Sequence, residues 1–434
     1  MVYVLLKMMR NWVVVLYIFM VVYAPPLGPN PAMLKFGMLL GVPVLLFAHQ
    51  ALSRQRGASQ LLQTSGSRAL IYGVGGGALF VVTVIVLRNQ PIESLADTRF
   101  VQNCSAIFVL MNVALIVDLL RRRGFTRSQA FEILLWLASL QGVIAILGVI
   151  SPPVKAISNG LYLAGGNANE FVMESRVYGI SSDFTYGTPI YHGALAGIAV
   201  HMIVSRGAKY YLHIPLILTV VFLNGRTGLL VFVLVAVVAV FAVYLRRANI
   251  LGLFAGVAGV GCALWLGLNL LARFVPGSYE FVNSFLTDTR NFIVNDTATG
   301  NYAVLTREVL LVPEGWGLFF GEGVRLYTAV AGARTDIGFT NDLFAGGLVY
   351  WVLAYGGLVL FLYSKGVDRL VSFELLVASV VANLKGELLH STVILFILCF
   401  AVLAFAHLGD EPSSSDDSPE GLPRGGRELS SGVK

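Results

Sequence analysis

The stretch YLHIPLILTVVFLNGRTGLLVFVLVAVVAVFAVYL, residues 211–245, carries a single charged residue, Arg226, between two apolar runs. Asn224-Gly225 is a dipeptide typical of turns. The runs approach the length needed to cross a bilayer, although the first holds only about fifteen residues. The pattern therefore predicts two membrane-spanning helices joined by a tight hairpin with Arg226 at its recessed tip. A charge at bilayer depth is costly and usually functional, unless it snorkels to the headgroups or pairs with a carboxylate.

The composition of the whole chain predicts a polytopic, all-α integral membrane protein. Of 434 residues, 56% are hydrophobic and 12% charged, with a mean hydropathy of +0.77, whereas a globular domain carries about 25% charged residues. The three cysteines lie in or beside apolar stretches and indicate no disulfide framework. Apolar runs long enough to act as about twelve transmembrane helices fall near residues 11–27, 33–52, 69–87, 104–120, 129–150, 188–205, 209–223, 228–245, 250–271, 343–363, 371–384 and 391–408.

Basic residues predict the orientation, because they favour cytoplasmic loops. With both termini inside, every inner loop is basic, as in Arg121 to Arg123. Two long loops, at about 151–187 and 272–342, then face outward and are expected to contain short helices and the functional site. Residues 1–408 are predicted to form the membrane domain. The polar segment 409–434 has almost nothing to bury and is predicted to be a disordered cytoplasmic tail.

The predicted outer loops are rich in arginine despite the inward bias of basic residues. Guanidinium is a planar donor that matches phosphate oxygens bidentately, so a group of arginines under the outer leaflet suits a lipid pyrophosphate. Long loops also accept arginine regardless of charge, which leaves simple solvation open for about half of them. Besides Arg226, the candidates are Arg176, Arg273, Arg290, Arg307, Arg325 and Arg334.

Several motifs resemble the bacterial O-antigen polymerases (Wzy), within the O-antigen ligase and polymerase superfamily. Residues 224–228, NGRTG, look like the family's Ser-Arg-x-Gly element between two helices, with Gly225 in place of serine and Arg226 as the best match. In the first loop, Arg176 and Gly187 are separated by ten residues, RVYGISSDFTYG, similar to the arginine and glycine spacing of polymerase loops.

The second long loop continues the resemblance over TREVLLVPEGWGLFFGEGVR, residues 306–325. There the family has an arginine on a short helix, here Arg307, before a Gly-x-Gly turn, here Gly321 and Gly323, whose amides can approach an anion. Ligases place a His-Asn pair before the next span, where this chain has Thr340-Asn341. The loop contains no histidine, so Asp336 or Asp342 becomes the candidate base that deprotonates a sugar hydroxyl.

The resemblance implies a glycosyltransferase of the bacterial inner membrane that acts at the periplasmic face in lipopolysaccharide biosynthesis. Donor and acceptor would be oligosaccharide repeat units on undecaprenyl pyrophosphate, held by arginines rather than by metal ions. No Asp-x-Asp pair or ligand-spaced His or Cys cluster occurs in the outer loops, so no metal or other cofactor is expected. Membrane lipids are partners, a chain-length regulator and a flippase are further implied ones, and nucleic acid is not expected.

Three other functions stay open on the sequence. A ligase would transfer finished glycan to the lipid A core, and the missing histidine argues against it. A polysaccharide or lipid-linked oligosaccharide exporter would line a transmembrane cavity with arginines, whereas the predicted span interiors are nearly uncharged. A non-enzymatic scaffold of a glycan-assembly complex would leave Arg226 unexplained.

Overall fold

The computed structural model describes residues 2–25, 33, 35, 37–53, 57–91, 100–164, 176–177, 179–181, 186–207, 209–295, 297, 299, 303, 311–326 and 335–410. Within these ranges every regular element is helical, which confirms the all-α prediction. A π-helical turn, Gly37–Gly41, precedes the helix Val42–Leu52, and a 3-10 turn, Leu388–His390, precedes the last helix.

The α-helices are numbered here in chain order. They are α1 Val2–Arg10, α2 Trp12–Tyr23, α3 Val42–Leu52, α4 Gly57–Leu62, α5 Ser65–Leu87, α6 Phe100–Arg122, α7 Arg127–Ile150, α8 Pro152–Ala164, α9 Gly187–Arg206, α10 His213–Asn224, α11 Arg226–Arg246, α12 Ile250–Phe274, α13 Pro276–Val294, α14 Trp316–Phe320, α15 Gly338–Leu362, α16 Arg369–Lys385 and α17 Thr392–His407.

Seven of the described helices are long and apolar enough to cross a membrane, namely α5, α6, α7, α9, α11, α12 and α15. The helix α2, the segment 37–50, α10 and α17 are shorter apolar helices. Where the structure describes them, the apolar runs of the sequence coincide with helices, and these helices fit a membrane protein by their length and composition. The count of about twelve crossings and the outward placement of the two long loops stay predictions.

Close approach through glycine holds the bundle together. A Cβ on Gly193 of α9 would lie 2.1 Å from the carbonyl oxygen of Gly228 in α11, and one on Gly73 of α5 would lie 2.4 Å from that of Leu353 in α15. Small residues let helix backbones approach in this way inside membranes, where dispersion contacts replace the hydrophobic effect. At the centre, α9 is almost wholly buried, whereas Leu271 is the single buried residue of the peripheral helix α12.

Residues of the predicted cytoplasmic loops meet at one end of the bundle. Lys7 Nζ donates to the carbonyl oxygen of Gly124 at 2.6 Å, and Arg127 lies 3.2 Å from Asp410. Asp410 therefore belongs to the packed end of the bundle, although it falls in the segment predicted to be disordered. The rest of that segment, 411–434, lies outside the described residues. Since α11 runs from Arg226 to this basic end, Arg226 lies at the opposite end, called the arginine end below.

Candidate functional site

The hairpin predicted around Arg226 is present, and a single residue separates its two helices. The helix α10 ends at Asn224, Gly225 alone separates the two helices, and α11 begins at Arg226. A Cβ on Gly225 would lie 2.7 Å from the ring of Pro189, and one on Gly228 would lie 2.2 Å from the carbonyl oxygen of Pro189. The glycines of NGRTG are therefore required because the hairpin packs directly on the start of α9.

Asn224 connects this hairpin to the first long loop. Its side-chain amide donates to the carbonyl oxygen of Val177 at 2.7 Å, and its side-chain oxygen accepts from the amide of Val177 at 3.0 Å. Asn224 is 1% exposed, so these bonds are shielded from water. Because Arg176 precedes Val177 directly, the clamp brings one predicted site arginine towards the other.

Arg226 and Arg176 are close enough for their charges to interact, and Asp288 of α13 is also within electrostatic range of Arg226. The guanidinium of Arg226 donates to the hydroxyl of Ser284 in α13 at 3.4 Å. Arg226 is the first residue of α11, where the helix dipole already favours negative charge and a cation is not the stabilising choice. Two guanidinium groups and a helix start thus create a site of positive potential that a phosphate or diphosphate would neutralise.

Arg325 is also at the arginine end, but its guanidinium group is already bound to a carboxylate of the protein. Its Nε and Nη2 donate to the two carboxylate oxygens of Glu387 at 3.0 and 2.7 Å. His390 Nδ1 bonds to the same carboxylate, and the amide of Glu387 donates to the hydroxyl of Tyr186 at 3.1 Å. Arg325 therefore ties the second long loop to the turn before α17, and pyrophosphate binding by Arg325 would have to compete with Glu387.

The two candidate bases lie at the start of α15 in contrasting surroundings. Asp336 is 53% exposed and forms an ion pair with Lys385 at 3.1 Å. Asp342 is 1% exposed and accepts a hydrogen bond from the hydroxyl of Tyr355. That hydroxyl also accepts from the side-chain amide of Asn383 at 2.6 Å. Asp336 is thus open to a substrate, whereas Asp342 is part of the contact between α15 and α16.

The Gly-x-Gly turn has a packing role that the sequence did not reveal. Gly321 has φ 79° and Gly323 has φ 69°, values that favour glycine. The amide of Gly321 donates to the carbonyl of Gly317, and that of Glu322 donates to the carbonyl of Phe344. These two amides are therefore used within the protein, and anion binding by the turn stays a prediction.

The partner of this turn is a break in α15. Gly347 has φ 62° inside the helix, and a Cβ there would lie 2.4 Å from the carbonyl oxygen of Phe319. A Cβ on Gly321 would lie 2.6 Å from the backbone of Gly346. The broken helix and the turn thus fit together through glycine on both sides.

The remaining predicted arginines are not brought into this cluster by the described contacts. Arg290 is exposed on α13. Arg273 lies at the end of α12, with its guanidinium 5.7 Å from the ring centroid of Phe274. Arg307 and Arg334 lie outside the described residues.

Sequence reasoning missed two features that depend on long-range contacts. Ser284 and Asp288 approach Arg226 because α13 folds back over the hairpin, and their only sequence signal is the i to i+4 spacing on one helix face. His201 of α9 and Glu374 of α16 form a buried contact of 2.8 Å in the core. Among the described residues no group of three or more His, Cys, Asp or Glu side chains could hold a metal ion, and metal independence stays a prediction.

Comparisons with models of protein families, with characterised proteins and with solved structures find no match to this chain.

Proposed function

We propose that this chain is a membrane-embedded glycosyltransferase of the polymerase type, which joins repeat units carried on undecaprenyl pyrophosphate at the periplasmic face of the bacterial inner membrane. The observation that carries the proposal is the approach of Arg176 to Arg226 at the start of α11, maintained by the buried hydrogen bonds between Asn224 and Val177. The resemblance to the polymerases supplies the choice of substrate. The periplasm lacks nucleotide sugars, so the activated sugar has to arrive on a lipid.

In the proposed reaction a hydroxyl oxygen of the acceptor sugar attacks the anomeric carbon of the donor. The bond from that carbon to the phosphate oxygen breaks, and its electron pair leaves with undecaprenyl pyrophosphate. Arg176 and Arg226 stabilise the negative charge that develops on this leaving group. The hydroxyl proton passes to a carboxylate, for which the exposure of Asp336 makes it the better candidate. The products are a lengthened glycan on the acceptor carrier and free undecaprenyl pyrophosphate.

Two alternatives gain less support from the described residues. An exporter would be favoured by arginines that line a transmembrane cavity, whereas Arg226 and Arg325 lie together at one end of the bundle. A ligase would be favoured by a histidine in the second long loop, and Thr340 stands at that position.

The test of the main proposal is Arg226→Lys, which keeps the charge and removes the bidentate fork. Expressed in a deletion strain, this variant should lose the ladder of long surface polysaccharide. Arg246→Lys, at the far end of the same helix, is the matched control and should restore it. A full ladder from Arg226→Lys at normal expression would show that the bidentate role is wrong.

The deletion strain itself separates the alternatives. Surface lipid with a single repeat unit indicates a polymerase, core without any glycan indicates a ligase, and inward-facing precursor indicates an exporter. Sidedness is tested with Ser284→Cys in a background without Cys104, Cys262 and Cys399. A membrane-impermeant maleimide should label Ser284→Cys from the periplasm, and labelling only from the cytoplasm would overturn the proposal.

A further inference from the structure

A large apolar groove runs between α7, α10 and α12 on the side of the bundle, with a volume of about 570 Å³. Thr219 supplies the single polar side chain among its lining residues, and its hydroxyl donates to the carbonyl of Pro215 at 2.9 Å. The wall is therefore a hydrocarbon surface. Lining residues from the three helices include Ile146, Ile150, Leu218, Leu223, Ala263 and Leu270.

The groove is open to the surroundings of the bundle rather than sealed inside it. Ile150 is 68% exposed and Phe274 is 64% exposed, and both line the groove. The helix α12, which forms one wall, is peripheral along its whole length. In a membrane, a hydrocarbon chain can therefore enter this groove sideways from the lipid.

One end of the groove lies at the arginine end of the bundle. Leu223 lines the groove and is followed directly by Asn224 and the Arg226 hairpin. Val177, which Asn224 clamps, lies against α7, where a Cβ on Gly148 would be 2.8 Å from its side chain. Val275 lines the groove immediately before α13, the helix that carries Ser284 to Arg226.

Among the described residues, the charged side chains that contact or interact at this end of the groove are mainly positive. Arg176 and Arg226 approach each other there, with Asp288 as the opposing charge near Arg226. Arg273 adds a third guanidinium, 5.7 Å from the ring centroid of Phe274, which lines the groove. A ligand that fits both parts must have a hydrocarbon chain and a head with more than one negative charge.

We infer that this groove binds the isoprenoid chain of a polyprenyl diphosphate, whose diphosphate lies on Arg176 and Arg226. The inference rests on the proposed function for the choice of lipid. It adds a tail site formed by α7, α10 and α12. A diphosphate on Arg176 and Arg226 places the first isoprene units of the same lipid at this end of the groove.

The experiment measures binding to the purified full-length protein in detergent micelles, with geranylgeranyl diphosphate and inorganic pyrophosphate as probes. Ala263→Trp and Thr219→Trp fill the groove from two different helices. Ala258→Trp is the matched control, since Ala258 is exposed on the same helix as Ala263 but does not line the groove. Geranylgeranyl diphosphate should bind the unmodified chain at least about tenfold more tightly than pyrophosphate, because the apolar chain leaves water.

Both groove variants should weaken geranylgeranyl diphosphate binding at least about tenfold while pyrophosphate binding changes less than about twofold. Ala258→Trp should change neither. Equal affinity for the two probes, unchanged tail binding in the groove variants, or equally effective competition by phosphatidylglycerol would each overturn the inference.

The assay is independent of glycan synthesis, so the two proposals can fail separately. If the groove binds the diphosphate lipid but deletion of the protein leaves the polysaccharide ladder intact, the polymerase function is excluded and the lipid site is supported. If the deletion strain loses the ladder but both groove variants bind the isoprenoid tail as before, the tail site is excluded and the polymerase function is supported.

Discussion

Asn224 holds Val177 from both sides, donating to its carbonyl oxygen at 2.7 Å and accepting from its amide at 3.0 Å. This reciprocal pair of hydrogen bonds brings residue 176 of the first loop to the hairpin of residue 226. The side-chain amide of Asn224 thus bonds to Val177 as a neighbouring β-strand would. It satisfies both backbone groups of Val177, which is buried. The position of Arg176 therefore depends in part on a neutral residue, Asn224.

Replacing Asn224 by alanine should therefore affect both stability and anion binding. Loss of the clamp leaves the buried amide and carbonyl of Val177 unsatisfied, and we expect a destabilisation of about 1–3 kcal/mol. Equilibrium unfolding in mixed micelles measures this change. Pyrophosphate binding by calorimetry should weaken about tenfold, since one of two charge-assisted contacts loses its position.

Asn269→Ala is the matched control for this variant. Asn269 donates to the carbonyl of Trp265 on its own exposed helix face, as Asn224 does to Val220, but it joins no second segment. We expect its effect on stability to stay within about 0.5 kcal/mol. Equal effects of the two variants would contradict the clamp.

Gly347 gives a second prediction, about the broken helix. Gly347→Ala introduces a side chain at φ 62° and 2.4 Å from the carbonyl oxygen of Phe319, so both the backbone and the turn before α15 have to shift. We expect a destabilisation of at least about 2 kcal/mol, measured by the midpoint of unfolding in detergent.

Gly356→Ala lies in the same helix with open space around its Cβ position. Alanine there should be neutral or stabilise the protein by about 0.5–1 kcal/mol, because glycine is the poorer helix former. A similar loss from both variants would mean that the break at Gly347 has no special role in the stability of α15.

The sequence was sufficient to predict the helices and the hairpin, because hydrophobic runs and the Asn224-Gly225 turn are local signals. It could identify the partner of a charged residue within one helix, as for Asp118 and Arg121, but not a partner from a distant segment. Like Arg226, Arg325 is an arginine beside apolar residues in a predicted outer region. Its guanidinium group, however, forms an ion pair with Glu387 from a distant turn. The role of Gly321 was likewise hidden, because its partner Gly346 belongs to the next helix and its own motif also suits an anion site.

The ion pair of Arg325 with Glu387 provides the third prediction. The two side chains are 18% and 6% exposed, so removing one partner leaves a charge in a poorly hydrated place. Glu387→Gln should destabilise the protein by about 3–5 kcal/mol, and Arg325→Met combined with Glu387→Gln should recover part of that loss. Equilibrium unfolding of the single and double variants measures the difference.

The exposed pair of Lys385 with Asp336 is the control for the buried one. Lys385→Met should cost less than about 1 kcal/mol, since water replaces the lost partner. If Glu387→Gln is as mild as Lys385→Met, Glu387 is not needed to fix Arg325. Arg325 would then be available to a ligand, as the sequence suggested.

The last prediction separates the two candidate bases by combining activity with stability. Asp336→Asn removes an exposed carboxylate, so stability should change by less than about 0.5 kcal/mol. If Asp336 takes the proton of the acceptor hydroxyl, chain growth should fall at least about a hundredfold, the lower end of the range for general base catalysis. Chain growth is measured as polysaccharide made in a deletion strain at matched expression.

Asp342→Asn should show the opposite result, a loss of stability without a specific loss of activity. Its buried carboxylate accepts from Tyr355 and joins α15 to α16 through Asn383, so we expect a loss of about 1–3 kcal/mol in stability with activity falling only as folded protein is lost. Full chain growth by Asp336→Asn, with a stable but inactive Asp342→Asn, would transfer the role to Asp342. Wild-type chain growth by both variants would exclude both carboxylates, and His390, bonded to Glu387 at the same end of the bundle, would be the next side chain to replace.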